Sequence, residues 1–138
     1  MVVKKAVFPV LIVFLLAVSP GWALAGAYSG GTGAPDDPYQ IATVVDWQQL
    51  MNTPADWDKH FILTADLDLQ GVDLTPVGSW NQPFTGVFDG QGFTLRNGVI
   101  DLPGSDHVGL FGYIGSGGGI RDLGAENVKI TGDDYVGL

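Results

Sequence analysis

Carboxylates dominate the side chains that could do chemistry. Asp66, Asp68, Gln70 and Gly71 follow the opening of a calcium loop, in which alternate oxygen donors face one ion. The acid that such a loop needs at its twelfth position is missing, since Val77 stands there. These Asp are therefore read as the wet face of a strand. Asp66, Asp101 and Asp122 are candidates for paired acid and base work on a glycosidic bond. That chemistry needs two carboxyls roughly 5–9.5 Å apart beside a sugar-sized groove, and nothing in the spacing sets such a pair. Lyase chemistry on polysaccharides wants a basic residue beside calcium-binding Asp. Arg96 and Arg121 are the basic candidates, without visible partners. His60 and His107 are the only histidines, and no His-Glu-x-x-His occurs, so a zinc peptidase centre of that kind is excluded. Asp89-Gly90 and the run Gly115 to Gly119 lack the phosphate-cradle and dinucleotide patterns and read as turns. Trp47, Trp57, Trp80 and Phe84 offer flat faces for a sugar, but as cap and core residues they need no ligand, and they are read as such. No catalytic, cofactor-binding or metal-binding residue is assigned, and no cofactor is expected.

The elements that would hold these residues belong to a small chain. It has 138 residues, 6 basic against 15 acidic, a formal charge of −9 and no cysteine. That length allows one domain. The charge disfavours nucleic acid or an anionic membrane as partner. Without cysteine there are no disulfides, thiolate zinc sites or Cys nucleophiles. Lys4 and Lys5, an apolar stretch from Ala6 to Val18, and Ala23-Leu24-Ala25 form the charged, apolar, small-x-small order of a secretory signal peptide. The apolar stretch is short for a membrane span, which needs roughly 20 residues. Residues 1–25 are thus expected to be removed on export, leaving no membrane segment and a mature start near Gly26.

Residues 26–38 are rich in Gly, Pro and Asp and read as a flexible lead-in. An N-terminal cap follows over 39–56. In it Tyr39 to Ala42 reads as a short strand. Thr43 and Asp46 stand as a capping box before Val44, Trp47, Leu50 and Met51 at helical spacing, which predicts a helix over 44–51. Asn52-Thr53-Pro54 ends it. From Phe61 to Gln70 the pattern alternates with period 2, as in a half-buried strand.

Sliding the sequence over itself by 28 residues sets Leu95 on Leu123, Ile100 on Val128, Leu102 on Ile130, Gly104 on Gly132 and Asp106 on Asp134. Val108-Gly109-Leu110 falls on Val136-Gly137-Leu138, and one step back sets Leu67 on Leu95. A unit of that length, with short strands and Gly turns, predicts coils that share a core only when stacked. The expected fold is an all-β, right-handed parallel β-helix (a β-solenoid) of about three coils over 57–138, under a short N-terminal capping helix.

Asp37 to Thr43, Phe61 to Leu69 and Phe84 to Leu95 together resemble the lead-in of GLUG-motif proteins. Val108-Gly109-Leu110-Phe111-Gly112 and Asp134 to Leu138 resemble the start of the GLUG repeat, from about residue 108. The resemblance implies parallel β-helices in secreted or cell-surface bacterial proteins, some of them immunoglobulin A-specific metallopeptidases with a separate zinc domain. The pattern stops at Gly137-Leu138 in mid-repeat, so a truncated chain is expected. The functional expectation is a non-catalytic, exported β-solenoid module, secreted or at the cell surface. Its role would be structural, adhesive or ligand-binding, with carbohydrate or a host or cell-surface protein as partner. The alternatives are a polysaccharide-processing β-helix enzyme, or the repeat region of a larger surface metallopeptidase whose catalytic domain lies elsewhere.

Overall fold

The computed structural model describes residues 28–138. The signal-peptide reading of 1–25 falls outside the described residues. Within the expected lead-in, Ser29 donates to the Gln40 carbonyl and Gln40 donates back to Gly30, so residues 29–40 close a turn. The helix α1, Val44–Met51, forms where its apolar spacing placed it. The Thr43 hydroxyl accepts from the Asp46 amide, and Asp46 accepts from the Thr43 amide, completing the capping box. Its inner face sends Trp47, Leu50 and Met51 into the core. A 3₁₀ turn, Pro54–Asp56, follows and leads to Trp57, whose indole N–H donates to the Leu50 carbonyl at 2.8 Å.

Among the described residues nine short strands make three parallel sheets. The first holds β1 (Tyr39–Ile41), β2 (His60–Leu63), β4 (Val87–Asp89) and β7 (Gly119–Arg121), paired in that order. The second holds β3 (Leu67–Asp68), β5 (Thr94–Arg96) and β8 (Gly124–Glu126). The third holds β6 (Val99–Asp101) and β9 (Lys129–Thr131). Phe61, Phe88, Leu95 and Ile100 point inward and are buried. In the first sheet Phe61 lies over Phe88 with their rings stacked at 6.4 Å, and Trp47 meets Phe88 edge-on at 5.8 Å. Identical sheet positions thus carry the core from one strand to the next.

This arrangement corrects the expected fold class. The described residues form a small mixed fold of three short parallel sheets and a helix, not a closed all-β solenoid of about three coils. The sheets contain four, three and two strands, so the layers do not all contribute a strand at each position. Residues 69–76 form no strand, and residues 77 and 84 join the rest by single bridges only. The alternating run from Phe61 is likewise not one strand. It breaks at Thr64 to Asp66 into β2 and β3, which belong to different sheets.

The uniform register of 28 is corrected too. Leu67 does pair with Leu95 and Val108 with Val136. Leu95, however, pairs with Ala125 rather than Leu123, and Ile100 with Ile130 rather than Val128. The offset there is 30, as between Arg96 and Glu126. The turn from Thr131 to Val136 is shorter than the turn from Asp101 to Val108, which brings the offset back to 28 at Asp106 and Asp134. Turns tolerate such differences in length, and their lengths set which residues of successive strands pair.

Candidate functional site

The structure engages two of the candidate carboxylates, Asp66 and Asp68, in bonds to its own backbone and side chains. Asp66 accepts the Thr94 amide at 2.8 Å and lies 3.5 Å from the Arg96 guanidinium. Arg96 also meets Glu126 at 3.1 Å, so one side chain on β5 ties the residue before β3 to β8. Asp68 accepts the Gln70 amide and the Asn97 side-chain N–H, and the Asn97 oxygen accepts from Asn127 at 2.8 Å. These bonds to its charged form, the one from Asn97 first, hold the Asp68 carboxyl below its usual range. Asp89 pairs with Arg121 at 3.0 Å. Asp101 shares an open depression with Asp73, but Asp66 and Asp122 do not line it. The three carboxylates considered for sugar cleavage are therefore not gathered at one site. Among the described residues no group of three or more His, Asp or Glu is placed to hold a metal ion.

The stacking candidates divide sharply. Trp47, Trp57 and Phe84 are buried and pack the core. Trp80 is 66% exposed. It stands on a tight loop in which Ser79 and Gln82 exchange backbone hydrogen bonds at 2.9 and 3.2 Å. The loop leaves the core at Gly78, which has a φ of +87°; a Cβ there would lie 2.3 Å from the Tyr113 carbonyl oxygen. No other residue fits that approach.

His107 lies beside Trp80, with ring centres 5.9 Å apart, and Tyr135 stacks on His107 at 4.8 Å and 12°. Tyr113 meets Trp80 and His107 edge-on, each at 5.2 Å. A column of rings thus runs Trp80, His107, Tyr135, with Tyr113 braced against its side. The cause is local. His107 and Tyr135 each precede a valine of the bridged pair Val108 and Val136, and both have left-handed backbone, φ 57° and 56°. His107 donates its amide to the Asp134 carbonyl. Equal backbone at equal positions stacks the side chains. Left-handed backbone costs a non-glycine residue about 1–2 kcal/mol, and here it is adopted twice to turn an aromatic outward.

Beside the column lies a cavity of about 290 Å³ whose walls include Ser79, Trp80, Asn81, Asp106 and His107. Asp106 accepts the Asp134 amide through Oδ1. Of the two histidines weighed for metal, His107 belongs to this aromatic corner and His60 to strand β2. Sequence reasoning missed Tyr113, Tyr135 and the role of His107. The signal was present, because the offset that sets Asp134 over Asp106 also sets Tyr135 over His107.

Among the described residues no helix is long and apolar enough to cross a membrane. No family model matches the chain, and no solved structure matches it. Two curated proteins do. Halomucin of Haloquadratum walsbyi is 37% identical over 133 residues, covering 86% of this chain and 1% of Halomucin. A putative Gly-rich membrane protein of Evansella cellulosilytica is 28% identical over 130 residues, covering 90% of this chain and 14% of that protein. The chain therefore spans only a small part of either relative.

Proposed function

We propose that the chain is a non-catalytic module of an exported, surface-associated protein, with a structural or adhesive role. The observation that carries this reading is its likeness, along most of its length, to a stretch of two far longer proteins named Halomucin and Gly-rich membrane protein. The basic, apolar and small-x-small order of residues 1–25 supports export. A structural role is supported by the carboxylates, which brace neighbouring strands through Arg96, Arg121 and Asn97. We place the chain, on the same reading, among the GLUG-motif proteins. The steric need for glycine in Val108-Gly109-Leu110-Phe111-Gly112 supports this, since a Cβ on Gly112 would come within 2.6 Å of the His107 carbonyl oxygen.

Protease treatment of intact cells tests the location. The module is expected to be cut without lysis, and its N-terminus to read from near Gly26. A chain that keeps Met1 and is cut only after lysis overturns the proposal.

A further inference from the structure

We propose that the aromatic corner of Trp80, His107 and Tyr135 is a binding site for a neutral oligosaccharide, with one pyranose ring seated on Trp80. This names the ligand of the surface module and so rests on the function proposed above. Three features support it. Trp80 and Tyr135 are 66% and 75% exposed, although large aromatic rings gain from burial. Ring contacts also orient them, Trp80 against His107 and Tyr113 and Tyr135 against His107, which reduces the freedom left to lose when a ligand binds. The cavity under Trp80 offers both kinds of group a sugar needs. The indole face attracts the polarised C–H bonds on the flat side of a pyranose. Ser79, Asn81 and Asp106 on the same wall supply hydroxyl, amide and carboxylate partners for its hydroxyls. At about 290 Å³ the space is just under the usual size of ligand sites, roughly 300–1,000 Å³, and suits a single sugar ring better than a folded partner.

The ring geometry argues against a cationic ligand. An ammonium cage needs ring faces around an empty centre, whereas these rings lie 4.8–5.9 Å from one another and fill the centre themselves. An anionic glycan is disfavoured by Asp106 in the cavity wall and by the −9 charge of the chain. A neutral sugar chain meets neither objection. Tyr135, one layer on from His107, is placed to meet a further ring of the same chain.

The test uses the purified full chain with cellohexaose, mannohexaose and chitohexaose as neutral probes and a polygalacturonate hexamer as the anionic one. At least one neutral probe is expected to bind saturably, with magnetisation transfer from the sugar C–H protons to the Trp80 ring. The polygalacturonate hexamer is expected not to bind. Trp80→Ala should weaken the neutral probe by about tenfold or more, as removal of a stacking ring does elsewhere. Trp80→Phe should keep most of the affinity, which separates stacking from any fault in folding. Asp106→Asn should weaken it with the thermal midpoint unchanged. Absence of saturable binding by all three neutral probes overturns the inference, as does binding that Trp80→Ala leaves intact or tighter binding of the acidic hexamer. None of these results bears on where the protein resides, which the protease experiment reads without any sugar.

Discussion

Tyr28 and Asp46 show how much a single side chain can hold here. The Asp46 carboxylate is buried and accepts three hydrogen bonds, from the Ser29 hydroxyl at 2.5 Å and from the Ala42 and Thr43 amides at 2.9 and 3.1 Å. The local half of that cluster was legible, because Thr43 and Asp46 stand at capping-box spacing. The Ser29 bond was not, since it joins residues far apart in sequence. Tyr28 donates its hydroxyl to Asp56 at 2.9 Å and leans on Tyr39 and Phe61. Burial first, then the bond to Asp56, pushes its phenol well above the usual range near 10. A group whose pKa is raised by folding contributes stability below its unfolded value and loses it as pH rises. Alkaline destabilisation should therefore begin near pH 10, where the unfolded chain ionises Tyr28 and the folded chain does not. Tyr28→Phe is expected to cost about 1 kcal/mol at neutral pH, for the lost hydrogen bond, and to flatten the stability curve above pH 10 relative to the parent. Urea melts of both proteins across that limb make the comparison. Parallel curves would show that Tyr28 is not the alkaline trigger. Asp68 acts in the opposite sense. Its lowered pKa means stability that is present above the unfolded value and lost as pH falls through the folded one.

Strands and turns divide what was legible from what was not. The helix α1 and the inward residues Phe61, Leu63, Leu67 and Leu95 could be read from spacing alone. So could the pairing of Leu67 with Leu95. The pairing of Leu95 with Ala125 could not, because an apolar match to Leu123 looks better on paper than one to alanine. Turn lengths decide the matter, and a turn of Gly, Asp and Ser carries no periodic signal. The absence of a strand over 69–76 has a related reason. A repeat promises equivalent positions, but residues 69–76, with Asp73 and Pro76 among them, do not sustain a ladder. Leu95 is fully buried between its two partners, whereas Arg96 on the same strand faces outward. Leu95→Ala is expected to cost about 2–5 kcal/mol, the usual range for a buried leucine. Arg96→Ala gives up two exposed ion pairs, which are worth little, and should cost about 1 kcal/mol or less. Thermal melts of the two variants decide it. Equal losses would mean that Leu95 does not carry the core between β3 and β8.

At the scale of the whole molecule, the two sides of the core differ among the described residues. On the first side α1 covers the core with Trp47 and Leu50. On the other, β7, β8 and β9 each have one strand neighbour among the described residues. Beside them a cavity of about 340 Å³ is walled by apolar residues, among them Leu110, Phe111, Ile120, Leu123 and Leu138. Leu138 is 67% exposed. Unpaired backbone groups next to apolar side chains form a template for a further strand. A second copy of the chain can supply one, against the entropy cost of association and the like charge of the two molecules, −9 each. Salt screens that repulsion; at about 1 M the Debye length falls to roughly 3 Å. Apolar burial and backbone pairing at short range are not weakened in the same way. The isolated chain is therefore expected to associate as its concentration rises, and to do so more strongly in high salt than in low. Ala125→Lys places a charge on this edge at an exposed position of β8, the means by which natural edge strands avoid pairing. It should leave the thermal midpoint of the monomer unchanged and abolish association. Sedimentation velocity at several protein and salt concentrations reads both effects. A parent chain that remains monomeric at high concentration in high salt would show that the open edge is closed by the chain itself in solution. Association that Ala125→Lys does not reduce would place the contact on some other face.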